Sequence, residues 1–482
     1  MSKITFDFDT VARKPKLSGD CFDVIREHFS AEDKAQAFIR RRTGRNIPVR
    51  KYAITQAGCY DFPFFSTLHK YISTIVSPLE FNYTQSMLNV MSEKLTHLSE
   101  EVDQLSLTPR DYQLEAVQIA LKKGRGIIVL PTSAGKTLVM GMMANTVLKR
   151  TNYRILILVP DIQLVQQSTG DLLEYGIEPS LISKWTGNHE YQNTKIVVAN
   201  SQILLSEKTD TSVLQGFNVV IVDECHKLAS AEKISKLVKK FKCKHIFGLT
   251  GSLPEAQFDV WSLNRIFGDV LYQLKSIDLR NENYISKVRV VSLQIEYKNP
   301  PIFSAPSMAA PTIGYEEETT WLQTNEYRNG VIAKLVNKMD TNTLVLVDRI
   351  NHGEVLTEFL KQHTNKQIYF IQGSVEVEER EKIRQLMEQT SGIVCVAISK
   401  IFSTGISIKN LHNIVFAAIG KARIKIIQSI GRSLRLHHTK EMATIFDIAD
   451  TSLNYGFKHY EERKRLYETE NIPIIVSSLV EC

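Results

Sequence analysis

The stretch Gly126–Thr137, GIIVLPTSAGKT, runs an apolar segment into a turn of small and polar residues that ends in Gly135-Lys136-Thr137. Parallel α/β sheets present phosphate-binding loops in this way, as a buried strand, a tight turn and then a helix. Backbone N–H groups of Thr132, Ser133, Ala134, Gly135 and Lys136 can form a nest for phosphate oxygens, and the positive end of the following helix adds to it. Lys136 is expected to reach the β and γ phosphates of ATP, and the Thr137 hydroxyl to ligate Mg2+. The usual G-x-x-x-x-G-K-[ST] pattern has Leu130 at its first position here, so only its Gly-Lys-Thr end is intact.

Outward from this loop, short apolar runs alternate with amphipathic stretches, the signature of a parallel sheet with crossover helices. The first series of predicted strands is Gly126–Leu130, Arg154–Val159, Lys195–Ala199, Phe217–Val222 and His245–Leu249. A second series is Thr343–Val347, Gln367–Ile371, Ile393–Ala397, Asn413–Ala417 and Ala443–Asp447. The expected fold class is therefore α/β, with two doubly wound parallel-sheet lobes and a small N-terminal α+β domain.

The strand Phe217–Val222 leads straight into Asp223-Glu224-Cys225-His226. A carboxylate at a strand's C-terminal end can bind the magnesium held by Thr137, which is the expected role of Asp223, and Glu224 can orient and deprotonate the attacking water. In the second lobe, QSIGRSLR places Gln428, Arg432 and Arg435 around a glycine. Arginines three apart share one helix face and can stabilise charge on the γ phosphoryl group. Hydrolysis would then require closure of the lobes.

Composition bounds the remaining choices. At ~150 residues per domain, 482 residues predict about three domains. A 43% hydrophobic and 23% charged chain argues against wholesale disorder. The start, MSKITFDFDT, lacks the apolar core of a secretory signal, and a cytosolic location is expected. The six cysteines are far apart, without a C-x-x-C pair, which argues against structural zinc and a disulfide framework. A net charge of +7 is compatible with nucleic acid. Its distribution is more informative: between Asp33 and Asp61 lie seven basic residues and no acidic one.

The expected boundaries are an N-terminal domain over 1–83, a connecting helix over 84–107, a first lobe over 108–285 and a second over 286–482. Met87, Met91, Leu95, Leu98, Val102 and Leu105 recur at helical spacing and predict one amphipathic helix from Thr84 to Leu105. The segment 297–326, with four prolines and the acidic trio Glu316, Glu317 and Glu318, reads as a loop or insertion. The basic run Phe38–Tyr52 interleaves Arg40, Arg41, Arg42 and Arg45 with Gly44 and Pro48, so it reads as a turn or hairpin that binds duplex or junction DNA.

Taken in order, these strings resemble the superfamily 2 helicases and translocases. Arg110-Asp111-Tyr112-Gln113 resembles the adenine-reading motif, implying that Gln113 bonds the base edge, with Arg110 and Tyr112 beside it. Val159-Pro160 and ANSQ, which ends in Ser201 and Gln202, resemble motifs that contact the nucleic-acid backbone. Asp223–His226 resembles a DExH box, with His226 in a coupling role, and LTGS, containing Thr250 and Ser252, resembles motif III. In the second lobe, Leu346–Arg349 resembles motif IV, Gly373-Ser374 a backbone-binding turn, and Ser403-Thr404-Gly405 the start of motif V. The resemblance implies RecA-like lobes, and motifs I, V and VI are most similar to bacteriophage branch-migration helicases of the UvsW type.

The resulting expectation is an ATP- and Mg2+-dependent DNA motor on forked or junction DNA. Acting as a monomer, it would serve replication and recombination beside proteins of those processes. A DExH RNA helicase and a non-catalytic nucleic-acid-binding scaffold remain alternatives.

Overall fold

The computed structural model describes residues 2–75, 79–94, 101–131, 134–206, 210–228, 241, 243, 245–282, 284, 286–305, 312–373, 375–399, 408, 410–418 and 442–480. The chain divides into two compact units, one of Met1–Pro131 with Gly135–Leu274, and one that includes Lys275–Cys482.

The N-terminal region builds two small sheets. In the first, β1 (Ser2–Asp9) pairs antiparallel with β2 (Lys14–Gly19) and parallel with β5 (Leu79–Tyr83). The second is a two-stranded ribbon of β3 (Ser30–Glu32) and β4 (Arg50–Tyr52). The helices are α1 (Phe22–His28), α2 (Lys34–Thr43), α3 (Phe65–Ile75) and α4 (Gln85–Lys94). Ile4, Phe6, Phe29, Phe64 and Leu68 fill the core between them, and Trp261 of the first lobe enters the same cluster.

In the first lobe, β6 (Gly126–Val129), β7 (Ile155–Val159), β8 (Ile182–Trp185), β9 (Ile196–Asn200), β10 (Val219–Val222), β11 (His245–Thr250) and β12 (Val270–Gln273) form a parallel sheet. Its order is β12-β6-β11-β10-β7-β9-β8. The helices are α5 (Asp111–Lys123), α6 (Lys136–Arg150), α7 (Ile162–Glu174) and α8 (Gln257–Phe267). Central strands β6, β7, β9, β10 and β11 are buried along their whole length, as the mainly apolar strands of a doubly covered parallel sheet are.

The second unit opens with α9 (Ser276–Asn281) and β13 (Lys287–Glu296), then α10 (Ile313–Thr324), α11 (Glu326–Asn337), β14 (Thr343–Val347), α12 (Ile350–His363), β15 (Ile368–Ile371) and α13 (Val377–Gln389). It continues with β16 (Val394–Ile398), β17 (Asn413–Phe416), β18 (Met442–Ala449), α14 (Asn454–Thr469) and β19 (Ile474–Val480). Its parallel sheet has the order β15-β16-β14-β17-β18-β13-β19. The fold class is α/β with two parallel-sheet lobes, and all ten expected strands are present; β8, β12, β13 and β19 are additional.

Three local expectations need correction. The helix expected from Thr84 to Leu105 is helical over Gln85–Lys94, whereas Glu101–Arg110 is not. Asp103 N–H donates to Thr146 Oγ1 and Asn145 Nδ2 donates to the Asp103 and Gln104 carbonyls, so α6 side chains take the backbone groups a helix would use. The segment 297–326 contains helix α10, and its acidic trio is structural: Glu318 is buried and accepts from Tyr455 N and Gly456 N at the start of α14. Glu317 accepts from Ser304 N and Oγ, and Glu316 accepts from Thr312 Oγ1. Finally, the first part of the basic run is helix α2 and not a turn or hairpin.

Candidate nucleotide and nucleic-acid site

Strand order assembles the site. Because β11 lies between β6 and β10, their C-terminal ends set Leu130, Thr250 and Asp223 side by side, at the sheet edge where α/β proteins bind ligands. Leu130 N–H donates to Thr250 O at 2.9 Å, and Asp223 N–H to Leu158 O at 2.8 Å.

Gly135 is the N-cap of α6 with φ 77, and no side chain caps that end. Among the described residues the first-turn N–H groups of α6 are capped by no side chain, an arrangement suited to phosphate oxygens. Glycine is required here twice over. The φ value favours it, and a Cβ would lie 2.4 Å from Gln113 Nε2. Gln113 is buried, with Oε1 accepting from Arg110 N–H at 2.9 Å, and Arg110 Nη1 donates to the Tyr112 hydroxyl at 3.0 Å. The resembled base-reading residues therefore form the cap of α5, with the Gln113 amide turned to the phosphate loop.

Lys136 Nζ donates to Leu130 O at 3.4 Å and lies 3.8 Å from Glu224 Oε1. Glu224 Oε2 is 3.3 Å from His226 Nδ1, which is 2.8 Å from Thr250 Oγ1. Thr250 donates its single hydroxyl proton to Ser252 O at 2.8 Å. His226 Nδ1 must then carry a proton and donate toward Thr250, fixing the imidazole tautomer. The chain Lys136–Glu224–His226–Thr250 links the loops after β6, β10 and β11.

The two acidic neighbours differ electrostatically. Burial and then the charge of Glu224 push the Asp223 carboxyl up to about 6. Burial also pushes Glu224 upward, but Lys136 and His226 outweigh it and hold this carboxyl down at about 2. Glu224 is the anion of the pair, suited to accept a proton only from an acidified water.

The remaining candidates divide three ways. Pro160 follows β7, and Ser201 is buried with its N–H donating to Val159 O, while Gln202 is exposed beside it. Thr250 requires a correction, because it is 0% exposed and bonded inward to His226 and Ser252, so it presents nothing to a nucleic-acid backbone. Ser252 is half-buried. In the second unit, Arg349 is exposed at the N-cap of α12, and the Gly373 carbonyl accepts from Arg380 Nη2. Thr132, Ser133, Ser374, Ser403, Thr404, Gly405, Gln428, Arg432 and Arg435 lie outside the described residues.

One residue escaped the sequence reading. A Cβ on Gly248 in β11 would sit 2.8 Å from Cys225 Sγ and 3.1 Å from its Cβ. The buried third position of Asp223–His226 is thus seated against a strand that has to carry glycine there. The run HIFGLT holds a glycine amid bulky residues, the signal of a close approach.

Comparison with known proteins agrees with this geometry. Residues 106–255 match the family model of the type III restriction enzyme res subunit, and residues 328–437 that of the helicase conserved C-terminal domain. The chain is 30% identical over 398 residues to the ATP-dependent DNA helicase uvsW of Enterobacteria phage T4, covering 77% of this chain and 78% of that protein. It is 32% identical over 192 residues to a DNA 3'-5' translocase of Sulfurisphaera tokodaii, covering 39% of this chain and 41% of the relative. A putative HsdR subunit fragment of a type I restriction enzyme from Vibrio vulnificus shares the fold, with TM-score 0.58 and 17% identity over 83% of this chain and 75% of that one. Phosphate loop, acidic box and its histidine link on one sheet edge, together with these matches across both lobes, identify the chain as a member of the superfamily 2 helicases, enzymes that couple ATP hydrolysis to nucleic-acid unwinding.

Proposed function

We propose that this protein is a DNA helicase or translocase that acts on forked and junction DNA in replication and recombination. The observation that supports the reading is the Lys136–Glu224–His226–Thr250 chain, because it brings the candidate phosphate ligand, the candidate general base and the end of β11 together: Lys136 pairs with Glu224, Glu224 Oε2 lies 3.3 Å from His226 Nδ1, and that nitrogen bonds Thr250 Oγ1. A change at the γ phosphate perturbs Lys136 and Glu224 first, and His226 passes that change to the segment that ends at Ser252. The likeness to the phage T4 DNA helicase favours DNA over RNA. The exposed arginines of α2 supply a basic surface outside the nucleotide site.

In this reading Lys136 binds the β and γ phosphates, Glu224 takes the proton of the attacking water, and Gln428, Arg432 and Arg435 complete the site from the second lobe. Hydroxyl and carboxylate oxygens are the donors Mg2+ prefers, and it needs only one or two from protein when phosphates supply others. Thr137 and Asp223 would hold it, and bound Mg2+ would neutralise phosphate charge. It would also favour the anionic form of Asp223. Pro160, Ser201, Gln202, Ser252, Arg349, Gly373, Ser374, Ser403 and Thr404 would follow the DNA backbone without reading sequence.

The test compares ATPase and unwinding rates on single-stranded DNA, duplex, forked and four-way DNA, and RNA. Strongest stimulation by forked or four-way DNA is expected. Stimulation by RNA alone would replace this proposal with an RNA helicase.

A further inference from the structure

Helix α2 is amphipathic in the wrong sense for a helix that packs on a core. Among its residues only Ala37 is buried, at 8% exposure, whereas Phe38 is 63% and Ile39 42% exposed. At 3.6 residues per turn, Ile39 lies roughly opposite Ala37, and Arg42 and Phe38 follow on one side of that outward direction, about 140° and 100° from Ala37. The helix thus directs its two large apolar side chains away from the protein.

Both ends of this projection are fixed. Asp33 Oδ1 accepts from Ala35 N and Gln36 N, and Asp33 also pairs with Lys51 at 3.1 Å. At the other end, Gly44 adopts φ 67 and its N–H donates to Arg40 O. The β3–β4 ribbon closes the base. Arg50 pairs with Glu27, but among the described residues Arg40, Arg41, Arg42 and Arg45 pair with no carboxylate. Cations in a last turn complement the helix dipole. That effect leaves the outward Phe38 and Ile39 unexplained.

Deepening the branched-DNA reading above, and resting on it, we propose that α2 is a branch-point probe: Phe38 stacks on a base exposed at the branch while Arg41, Arg42 and Arg45 hold the flanking phosphates. Charge selects the occupant, since guanidinium groups without a carboxylate partner among the described residues, on and just beyond the helix that carries the exposed ring, match a polyanion with π faces. Aromatic stacking tolerates any base, so such a contact recognises branch geometry without reading sequence. Rigid capping at both ends lowers the ordering cost of the contact.

The experiment uses the full chain and a fork carrying 2-aminopurine at the branch. Binding of the wild-type protein should change the fluorophore's emission, and Phe38→Trp should preserve the change. Phe38→Ala should abolish it and weaken fork binding about 10-fold, with the salt dependence of binding and the ATPase on plain single-stranded DNA unchanged. The exposed position makes both variants tolerable to the fold. Wild-type signal and fork affinity in Phe38→Ala would overturn the proposal, as would a loss confined to unwinding in the presence of other proteins, which would mark a protein-docking face. Fork-stimulated ATPase alongside an indifferent Phe38→Ala would reject this probe alone. A wild-type chain that no DNA stimulates would reject the branched-DNA reading together with it.

Discussion

At Glu224 the backbone sits at φ 48, a left-handed conformation for a non-glycine residue, and the Asp223 carboxylate accepts the Glu224 N–H at 2.9 Å. Such strain costs on the order of 1–3 kcal/mol and has to be held by its surroundings. Here the holders are Lys136 and His226 on the side chain. Glu224→Gln keeps the shape and removes the proposed base, so ATP and DNA binding should stay near wild type while phosphate release falls about 100-fold or more. Lys136→Ala should weaken nucleotide binding as well, and equilibrium titration beside phosphate release separates the two. Near wild-type hydrolysis by Glu224→Gln would remove it as the base. A second residue, His352 in α12, is buried with no partner for Nε2 among the described residues. Burial, then the charge of Arg328, lowers its pKa to about 3. The unfolded chain takes up a proton near pH 6.5 that the folded unit refuses. Stability is therefore full above that pH and falls as pH drops toward 3, by at most about 1.4 kcal/mol per unit. Urea midpoints at pH 7 and pH 5, followed through Trp321 emission in a chain with the other two tryptophans replaced by phenylalanine, should differ; His352→Leu should shrink that difference.

Elements were legible in the sequence where one local rule governed them. The central strands of both sheets are runs such as ILILV and TLVLV, buried on both faces, and their apolar continuity marks them directly. Two edge strands did not declare themselves: β12 is only half-buried and β19 is largely exposed, so neither carries the pattern of a buried strand. The helix expected over 84–107 failed because its apolar spacing ignored competition. Thr146 and Asn145, far along the chain, take the backbone of Asp103 and Gln104. In α2 the Gly44 and Pro48 signals were real but mark the end of a helix and the return to β4, so charge alone did not reveal its form. Replacing Arg41, Arg42 and Arg45 with glutamine should lower the log-log salt slope of junction binding by about three units. Circular dichroism should show the fold retained, and an unchanged slope and affinity would exclude the helix from the phosphate contacts.

Across the molecule, the juxtaposition of the first lobe's candidate site residues was legible because strand ends put them on one edge, whereas the joining of the N-terminal region to that lobe was not. That union depends on pairs about two hundred residues apart, such as Arg265 with Asp61 at 2.7 Å. Asp269 at the start of β12 accepts from Ser66 Oγ at 2.6 Å and Thr67 Oγ1 at 3.0 Å and pairs with Lys70 at 2.6 Å, all on α3. The thirteen-residue core cluster that includes Trp261 covers the same seam. Burial raises the Asp269 pKa, but Lys70 and the two hydroxyls outweigh it and hold it below its ordinary 3.8. Its contribution to docking is present above that pH and is lost as pH falls through the lowered value. Asp269→Ala strands three donors at a half-buried seam, a loss of about 1–3 kcal/mol. At neutral pH, hydrogen exchange should quicken in α3 and β1 while β6, β10 and β11 keep their protection. Equal acceleration in all five would mean that the N-terminal region and the first lobe unfold as one body, with Asp269 serving the whole unit instead of the seam.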